Sequence, residues 1–161
     1  MNSFILRLVI LTAVLTAYSS LAHAANSCDF DPSGIALPAL AKDSVKVSDW
    51  DKQKLEYRAI LRDGSVFFVK YWACDHFGLS AEMTVSTDTD SDEALKGLVK
   101  AVAVAVLKPK LRTALEDLLS KQQHLTVGTS IDVPADDVTE FFFSIKRVDV
   151  FTVVSISYYT S

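Results

Sequence analysis

The pattern of apolar and polar residues divides the chain into a β-rich first half, a helical centre and a β-rich end. Apolar and polar residues alternate through 55–61, and a second β-prone run occupies 65–73. An Asp-Gly pair at 63–64 separates the two runs, which favours a hairpin with a type I′ turn because both central residues of that turn take positive φ. A third strand is expected over 79–86. This part of the chain therefore predicts a three-stranded antiparallel meander.

The same Asp-Gly pair predicts which residues of the hairpin face the core. A two-residue turn would pair Leu61 with Val66, Ala59 with Phe68 and Leu55 with Trp72, all on one face. We expect that face to be the core. Phe67 and its alternate neighbours would then lie on the second face, because successive strand residues point to opposite sides.

The period of the pattern changes after this meander and becomes helical. Asp90 suits a helix N-cap, and Glu93, three residues later, completes a capping-box pattern. The stretch 94–107 is apolar nearly all round, which predicts a buried helix, although its Ala-Val alternation leaves a strand as the alternative. Pro109 must end or kink this helix. Leucines at helical spacing then predict a second helix that continues to about Lys121.

The end of the chain is β-rich. Short strands are expected at 125–127 and 131–133, and 137–145 suits either a helix or a strand, of which strand propensity favours the strand. The stretch 148–159 has the strongest strand pattern and should lie centrally, because an exposed edge of this composition would aggregate. The predicted fold is α+β: an antiparallel sheet of about five strands, in the order β-β-β-α-α-β-β, with one or two helices packed on one face.

The first 24 residues have the layout of a cleaved secretory signal peptide. Arg7 precedes an apolar stretch that is shorter than the ~20 residues of a membrane span, and Ala-His-Ala at 22–24 forms a small-residue cleavage site. Cleavage would leave 25–161 as a single α+β domain with an irregular N-terminal arm at 25–50. We expect the mature protein to be periplasmic or secreted and not bound to a membrane.

Composition narrows the classes of function. Half of the 161 residues are hydrophobic and 22% are charged, which excludes intrinsic disorder. The net charge of −4 becomes −5 when Arg7 is removed with the signal peptide, and this acidic balance disfavours nucleic-acid binding. The chain contains no phosphate-binding glycine motif and no nucleophile elbow. We therefore expect no cofactor and no catalysis.

Apart from the strands and helices, the main structural prediction concerns the two cysteines. Cys28 and Cys74 are expected to form a disulfide, because an exported protein folds in an oxidising compartment. The turn that follows, Asp75, His76 and Phe77, would then be pre-organised and is our predicted partner-binding segment. The alternatives are an ordinary turn, or a catalytic pair in which His76 is the base for a Cys74 nucleophile.

A second group of residues resembles the start of a calcium loop. Asp88, Asp90 and Asp92 follow the D-x-D-x-D spacing, but Glu93 stands where the loop needs glycine and Val99 where it needs a bidentate glutamate. These residues are only a weak calcium candidate, and the alternative is a helix N-terminus with solvated acids. No other metal site is expected.

Tryptophan and tyrosine residues outnumber what one sheet face can bury. Some should be exposed on the second face, where such residues are typical of binding hot spots. The alternative is that helices cover one face and the N-terminal arm covers part of the other. The residues concerned are Trp50, Tyr57, Tyr71, Trp72, Tyr158 and Tyr159.

These features together predict an exported, non-catalytic binding protein that inhibits or neutralises an enzyme acting on the cell envelope, as lysozyme inhibitors and immunity proteins do. The expected partner is a basic envelope-acting enzyme, because an acidic surface would steer its association. One alternative is a small-ligand carrier or an accessory subunit of an envelope complex, with an enclosed pocket near Phe67, Val69 and Tyr71. Another is a small hydrolase that uses Asp75 and His76.

Overall fold

Seven antiparallel strands and two helices make up the regular structure of the described residues. The computed structural model describes residues 31–73, 77–86, 90–136 and 138–160. The strands are β1 (Val45–Asp51), β2 (Glu56–Leu61), β3 (Val66–Ala73), β4 (Phe77–Val85), β5 (Ser130–Asp132), β6 (Glu140–Val148) and β7 (Phe151–Thr160). The helices are α1 (Asp92–Val106) and α2 (Pro109–Lys121), and a short 3-10 turn occupies Pro32–Gly34. The sheet order is β1-β2-β3-β4-β7-β6-β5.

This architecture confirms the α+β class and the antiparallel sheet but corrects the number of strands. The prediction of about five strands was wrong, because β1 occupies the end of the arm predicted to be irregular and the short strand expected at 131–133 forms an edge strand, β5, whereas 125–127 contains no strand. Charged residues interrupt the apolar pattern of β1, and β5 is only three residues long. The central position of β7, between β4 and β6, is confirmed.

The turn between β2 and β3 has three residues, not the two predicted from the Asp-Gly pair. The amide of Leu61 donates to the carbonyl of Ser65 (2.8 Å), and the amide of Gly64 donates to the carbonyl of Leu61 (3.1 Å). Gly64 has φ of 87°, in the left-handed region that favours glycine. One glycine in this conformation closes a three-residue hairpin loop, whereas a type I′ turn needs two consecutive residues at positive φ.

The additional loop residue reverses the face that β3 presents to the core. Ala59 pairs with Phe67 and not with Phe68. Phe67 is buried, whereas Val66 is 44% exposed and Trp72 is 43% exposed. The prediction that Val66 and Phe68 face the core was therefore wrong, because a shift of one residue turns every side chain of a strand to the other face.

The two helices begin and end close to their predicted limits. The prediction of a helix, and not a strand, is confirmed for α1. Pro109 begins α2 after a two-residue break. The N-cap of α1 is Ser91, whose hydroxyl accepts from the amide of Ala94 (3.4 Å), so the prediction that Asp90 caps the helix was wrong. Helix α1 lies against β4 and β7, and α2 lies against α1.

The described part of the N-terminal arm lies on the same side of the sheet as the helices. The amide of Ala39 donates to the carbonyl of Ala105 in α1 (2.8 Å), and the hydroxyl of Tyr71 donates to the carbonyl of Ala36 (3.1 Å). The core therefore lies between one face of the sheet and the helices. Among the described residues, neither helix crosses the opposite face.

Candidate binding face

Five of the residues predicted to carry function lie outside the described residues. They are Cys28, Cys74, Asp75, His76 and Asp88. The disulfide, the partner-binding turn and the alternative catalytic pair therefore remain predictions.

Phe77, the last residue of the predicted binding turn, is the first residue of β4 and is half-buried on the helix side of the sheet. Its ring centroid lies 6.5 Å from that of Tyr71 and 6.3 Å from that of Tyr158. Trp50 packs edge-on against Tyr71 in the same cluster, with centroids 5.8 Å apart. Such pairs stabilise the fold beyond simple burial. The structure thus gives Phe77 a packing contact at this end of the core.

The acidic stretch proposed as a weak calcium candidate is only partly described. Asp88 lies outside the described residues, and Asp90 forms an ion pair with Arg147 of β6. Among the described residues, no group of three or more His, Cys, Asp or Glu is arranged to hold a metal ion.

Asp92, the third member of that stretch, joins the start of α1 to the segment after α2. Its carboxylate accepts from the amide of Leu125 (2.5 Å) and lies 2.8 Å from the ammonium of Lys96. The hydrogen bond from Lys96, followed by that from Leu125, lowers the pKa of Asp92 below its ordinary value. This carboxylate therefore has a structural role in the fold.

In the described chain, neither helix covers the face of the sheet opposite α1. We call it the open face, and it consists of the alternate strand positions that point away from α1. It comprises Val47, Asp49 and Asp51 of β1; Glu56, Arg58 and Ile60 of β2; Val66, Phe68, Lys70 and Trp72 of β3; Gly78, Ser80, Glu82 and Thr84 of β4; Val153, Ser155, Ser157 and Tyr159 of β7; and Glu140, Phe142, Ser144 and Lys146 of β6.

One end of the open face carries a row of branched side chains, which we call the aliphatic band. Cross-strand pairing places Val47 beside Ile60, Ile60 beside Val66, Val66 beside Thr84, and Thr84 beside Val153. Val47, Ile60 and Val66 are exposed, and the hairpin that joins β6 to β7 extends the apolar surface with Val148, Val150 and Phe151. A contiguous apolar surface of this kind is typical of a binding site.

The other end of the open face contains a cleft that runs across the strands. Its volume is about 860 Å³. The open-face residues that line it are Lys70, Trp72, Glu140, Phe142, Ser157 and Tyr159. Lys54 and Leu55 of the β1–β2 turn complete one rim, and Tyr71, Ala73 and Tyr158 also contribute to the lining. We refer to this set of residues as the cleft.

Gly78 allows two aromatic rings of the cleft to approach the backbone of β4. A Cβ at this position would lie 3.1 Å from Cδ2 of Tyr159 and 3.4 Å from Cε3 of Trp72. Beside this glycine, Ser157 donates its hydroxyl hydrogen to Ser80 (2.9 Å). Small side chains at the centre and large ones at the sides give the cleft its shape.

The charged residues around the cleft differ in their pairing. The ammonium of Lys54 lies 3.4 Å from the carboxylate of Asp51, and that of Lys70 lies 3.4 Å from the carboxylate of Glu56. Glu140 forms no ion pair within the described part of the chain. The cleft therefore keeps one carboxylate without a cationic partner among these residues.

Glu56 connects the cleft to the middle of the open face. Its second oxygen lies 2.7 Å from the guanidinium of Arg58, which also stands 5.7 Å from the ring centroid of Phe68. The hydrogen bond from Arg58, followed by that from Lys70, lowers the pKa of Glu56. The basic side chains in this part of the face are thus held by Glu56.

The cleft includes only one of the three residues at which the ligand-carrier hypothesis placed a pocket. Tyr71 contributes to its lining, whereas Phe67 and Val69 are packed in the core on the helix side. Sequence reasoning included Trp72 and Tyr159 among six aromatic residues of which some should be exposed, but the predicted hairpin register turned Trp72 towards the core. It associated neither residue with Glu140, because the register that joins them was unknown.

Comparison of the chain with protein-family models, with curated proteins and with solved structures finds no match. In the described ranges, neither helix is both long and apolar enough to cross a membrane.

Proposed function

We propose that this protein is an exported, non-catalytic binding protein that uses its open face to inhibit or neutralise an enzyme acting on the cell envelope. The observation that carries the proposal is the open face itself, a sheet surface on which an aliphatic band and an aromatic cleft are both accessible.

The composition of the open face resembles that of a protein interface. Ile60 and Val66 pair directly across β2 and β3, and each is 44% exposed. Trp72 and Tyr159 supply large aromatic surfaces at the opposite end, and such residues often dominate binding energy. An interface with an apolar centre and charged surroundings is the common arrangement in complexes of this class.

The acidic net charge of the chain supports a basic partner. The chain carries 20 acidic and 16 basic residues. An acidic protein attracts a basic enzyme over several ångströms and so increases the rate of encounter. Export would place the two proteins in the same compartment.

A small-ligand carrier is the second candidate function, and the cleft favours it. Its volume of about 860 Å³ lies in the range of small-molecule sites, and aromatic and polar side chains line it together. A carrier would bind through the cleft alone, whereas an inhibitor would also need the aliphatic band.

The test of the proposed function is an inhibition assay with residues 25–161 and a panel of purified basic cell-wall hydrolases, lysozymes among them. We expect one enzyme to lose activity in proportion to the amount of protein added and to form a complex at low salt. The double variant Ile60→Thr/Val66→Thr should weaken inhibition by tenfold or more, because threonine keeps the branching at Cβ but removes apolar surface, including the terminal methyl of Ile60, and places hydroxyls in the interface.

The control for this variant is Val104→Thr, which changes a 50% exposed residue of α1 on the other side of the sheet. It should inhibit as well as the unaltered protein. If no enzyme of the panel is bound or inhibited, or if the double variant and the control inhibit equally, the proposal is wrong.

Export and oxidation have their own test. We expect the full-length chain, expressed in a bacterium with a periplasm, to yield a periplasmic protein that begins at Ala25. Its mass should be lower by two hydrogen atoms than that of the reduced chain, as a Cys28–Cys74 disulfide requires. Mass spectrometry before and after reduction measures both features, and an uncleaved cytoplasmic product would contradict this part of the proposal.

A further inference from the structure

The cleft brings three aromatic rings and one carboxylate onto the same part of the open face. Glu140 and Tyr159 are directly paired across β6 and β7, and Phe142 follows on the same face of β6. Trp72 lies on the other side of Gly78 from Tyr159. These side chains come from three strands and face a common space.

Glu140 is the charged group of this space that favours a cation. Both lysines of the cleft have carboxylates nearby: Lys54 has Asp51, and Lys70 shares Glu56 with Arg58. Glu140 has no such partner in the ranges that the structure describes. Aromatic faces attract cations through their quadrupoles, and a carboxylate adds a charge-assisted hydrogen bond.

We propose that the cleft binds an arginine side chain presented on a protruding loop of the partner protein. The guanidinium is planar, so it can stack on Trp72 or Tyr159 while it donates two hydrogen bonds to Glu140. This inference rests on the proposed function and specifies how a basic partner is recognised.

The dimensions of the cleft suit a loop. Strands β3 and β6, which carry its two walls, are separated by three strand spacings, roughly 14 Å. Between them lie the small residues Gly78, Ser80 and Ser157. A loop can therefore place its tip on the floor of the cleft while its flanks contact both walls.

The experiment is a nuclear magnetic resonance titration of isotopically labelled residues 25–161 with two peptides. The first is acetyl-Gly-Arg-Gly-amide, and the second replaces arginine with citrulline, which is neutral and nearly identical in shape. We expect the arginine peptide to bind about tenfold more tightly, with shifts at the Trp72 indole and at the amides of Glu140 and Phe142.

Three variants connect this binding to the cleft. Glu140→Gln should bring the two peptides to within about twofold of each other, because the charge is lost and the shape is kept. Trp72→Ala should weaken binding of the arginine peptide, and Trp72→Phe should restore part of it because an aromatic face remains. Glu116→Gln, on an exposed position of α2, is the matched control and should bind like the unaltered protein. Circular dichroism establishes that each variant is folded.

Equal affinity for the arginine and citrulline peptides would overturn the inference. So would shifts of the same cleft residues by chitotriose with none from the arginine peptide, since the cleft would then be a glycan site. If Glu140→Gln inhibits the target enzyme as well as the unaltered protein does, the inference fails while the proposed function stands. If the arginine peptide binds but no enzyme is inhibited, the proposed function fails and the chemistry of the cleft stands.

Discussion

At the scale of single residues, Gly78 determines how closely the aromatic rings of the cleft approach the sheet. A Cβ at this position would lie only 2.9 Å from the carbonyl oxygen of Tyr158. That oxygen belongs to the backbone of a paired strand and cannot move without disturbing the register. The glycine is evident in the sequence, but its role depends on a strand that lies 80 residues further along the chain.

We expect Gly78→Ala to lower the free energy of unfolding by about 1–3 kcal/mol, because the added methyl group overpacks this site. Urea denaturation measures the change. Gly97→Ala is the contrasting variant: Gly97 is exposed in α1 with no atom near the added Cβ, and alanine there should stabilise the protein by about 0.5–1 kcal/mol. Equal stabilities of the two variants would contradict this account.

Tyr71 is the residue whose ionisation should be visible in the stability of the protein. Burial, with smaller contributions from Tyr158 and Tyr57, raises the pKa of Tyr71 to about 12. Its hydroxyl also holds the N-terminal arm through Ala36. The folded protein therefore retains this proton at a pH at which the unfolded chain, with a tyrosine pKa of about 10, has lost it.

The free energy of unfolding should consequently fall as the pH rises from about 10 to about 12, by up to about 1.4 kcal/mol per pH unit for this group. Tyr71→Phe should show a smaller fall over the same range. At neutral pH the variant should be less stable by about 1 kcal/mol, because it lacks the hydrogen bond to the arm. Denaturant unfolding at a series of pH values measures both effects, and an unchanged slope in the variant would show that another group is responsible.

At the scale of elements, adjacent residues of β6 lie on opposite sides of the sheet, one in the core and the next on the open face. Phe143 is fully buried on the helix side, whereas Phe142 lines the cleft on the open face. The run of phenylalanines at 141–143 cannot reveal this difference, since apolar residues of a strand are equally apolar on either face. The register with β7 decides it.

Phe143→Ala should lower the free energy of unfolding by about 3–5 kcal/mol, because it leaves a cavity in the core. Phe142→Ala should cost about 1 kcal/mol or less, since its site already borders solvent. Thermal and urea unfolding of the two variants provide the comparison. If Phe142→Ala proved the more damaging, the assignment of the two faces would be wrong.

The elements that sequence reasoning identified are defined by short-range interactions, whereas the element it missed is defined by pairing between segments of the chain. The bounds of α1 and α2 follow from apolar spacing, acidic residues and Pro109, all of which act within a few residues. β1 escaped prediction because its alternation is weak and its place in the sheet comes from pairing with β2. The β2–β3 register was mistaken because Asp-Gly is compatible with both two-residue and three-residue loops.

At the scale of the whole molecule, the core and the open face lie on opposite sides of one sheet. The arm from residue 31 to 44 reaches the helix side through Ala39 and Ala36, so the described part of the arm does not cover the open face there. We propose that the acidic net charge attracts a basic partner as it approaches this face. Long-range attraction affects association more than dissociation, because the contacts formed afterwards are short-range.

We expect the association rate with a basic target enzyme to fall roughly tenfold between low salt and about 0.5 M salt. The dissociation rate should change much less, because the aliphatic band and the aromatic rings supply apolar contacts. Surface plasmon resonance at a series of salt concentrations separates the two rates. A salt-independent association rate would show that charge does not steer this encounter.

By itself, the sequence determined the α+β class, the antiparallel sheet, the two helices and the central strand β7. Those features follow from local periodicity, helix-breaking proline and the strand propensity of a long apolar run. Only the tertiary structure decided which face of β3 enters the core, and so left Trp72 exposed. It also decided that Trp72, Tyr159 and Glu140 share one cleft. Their proximity depends on cross-strand register. That register is set by pairing between distant segments together with the geometry of a single turn.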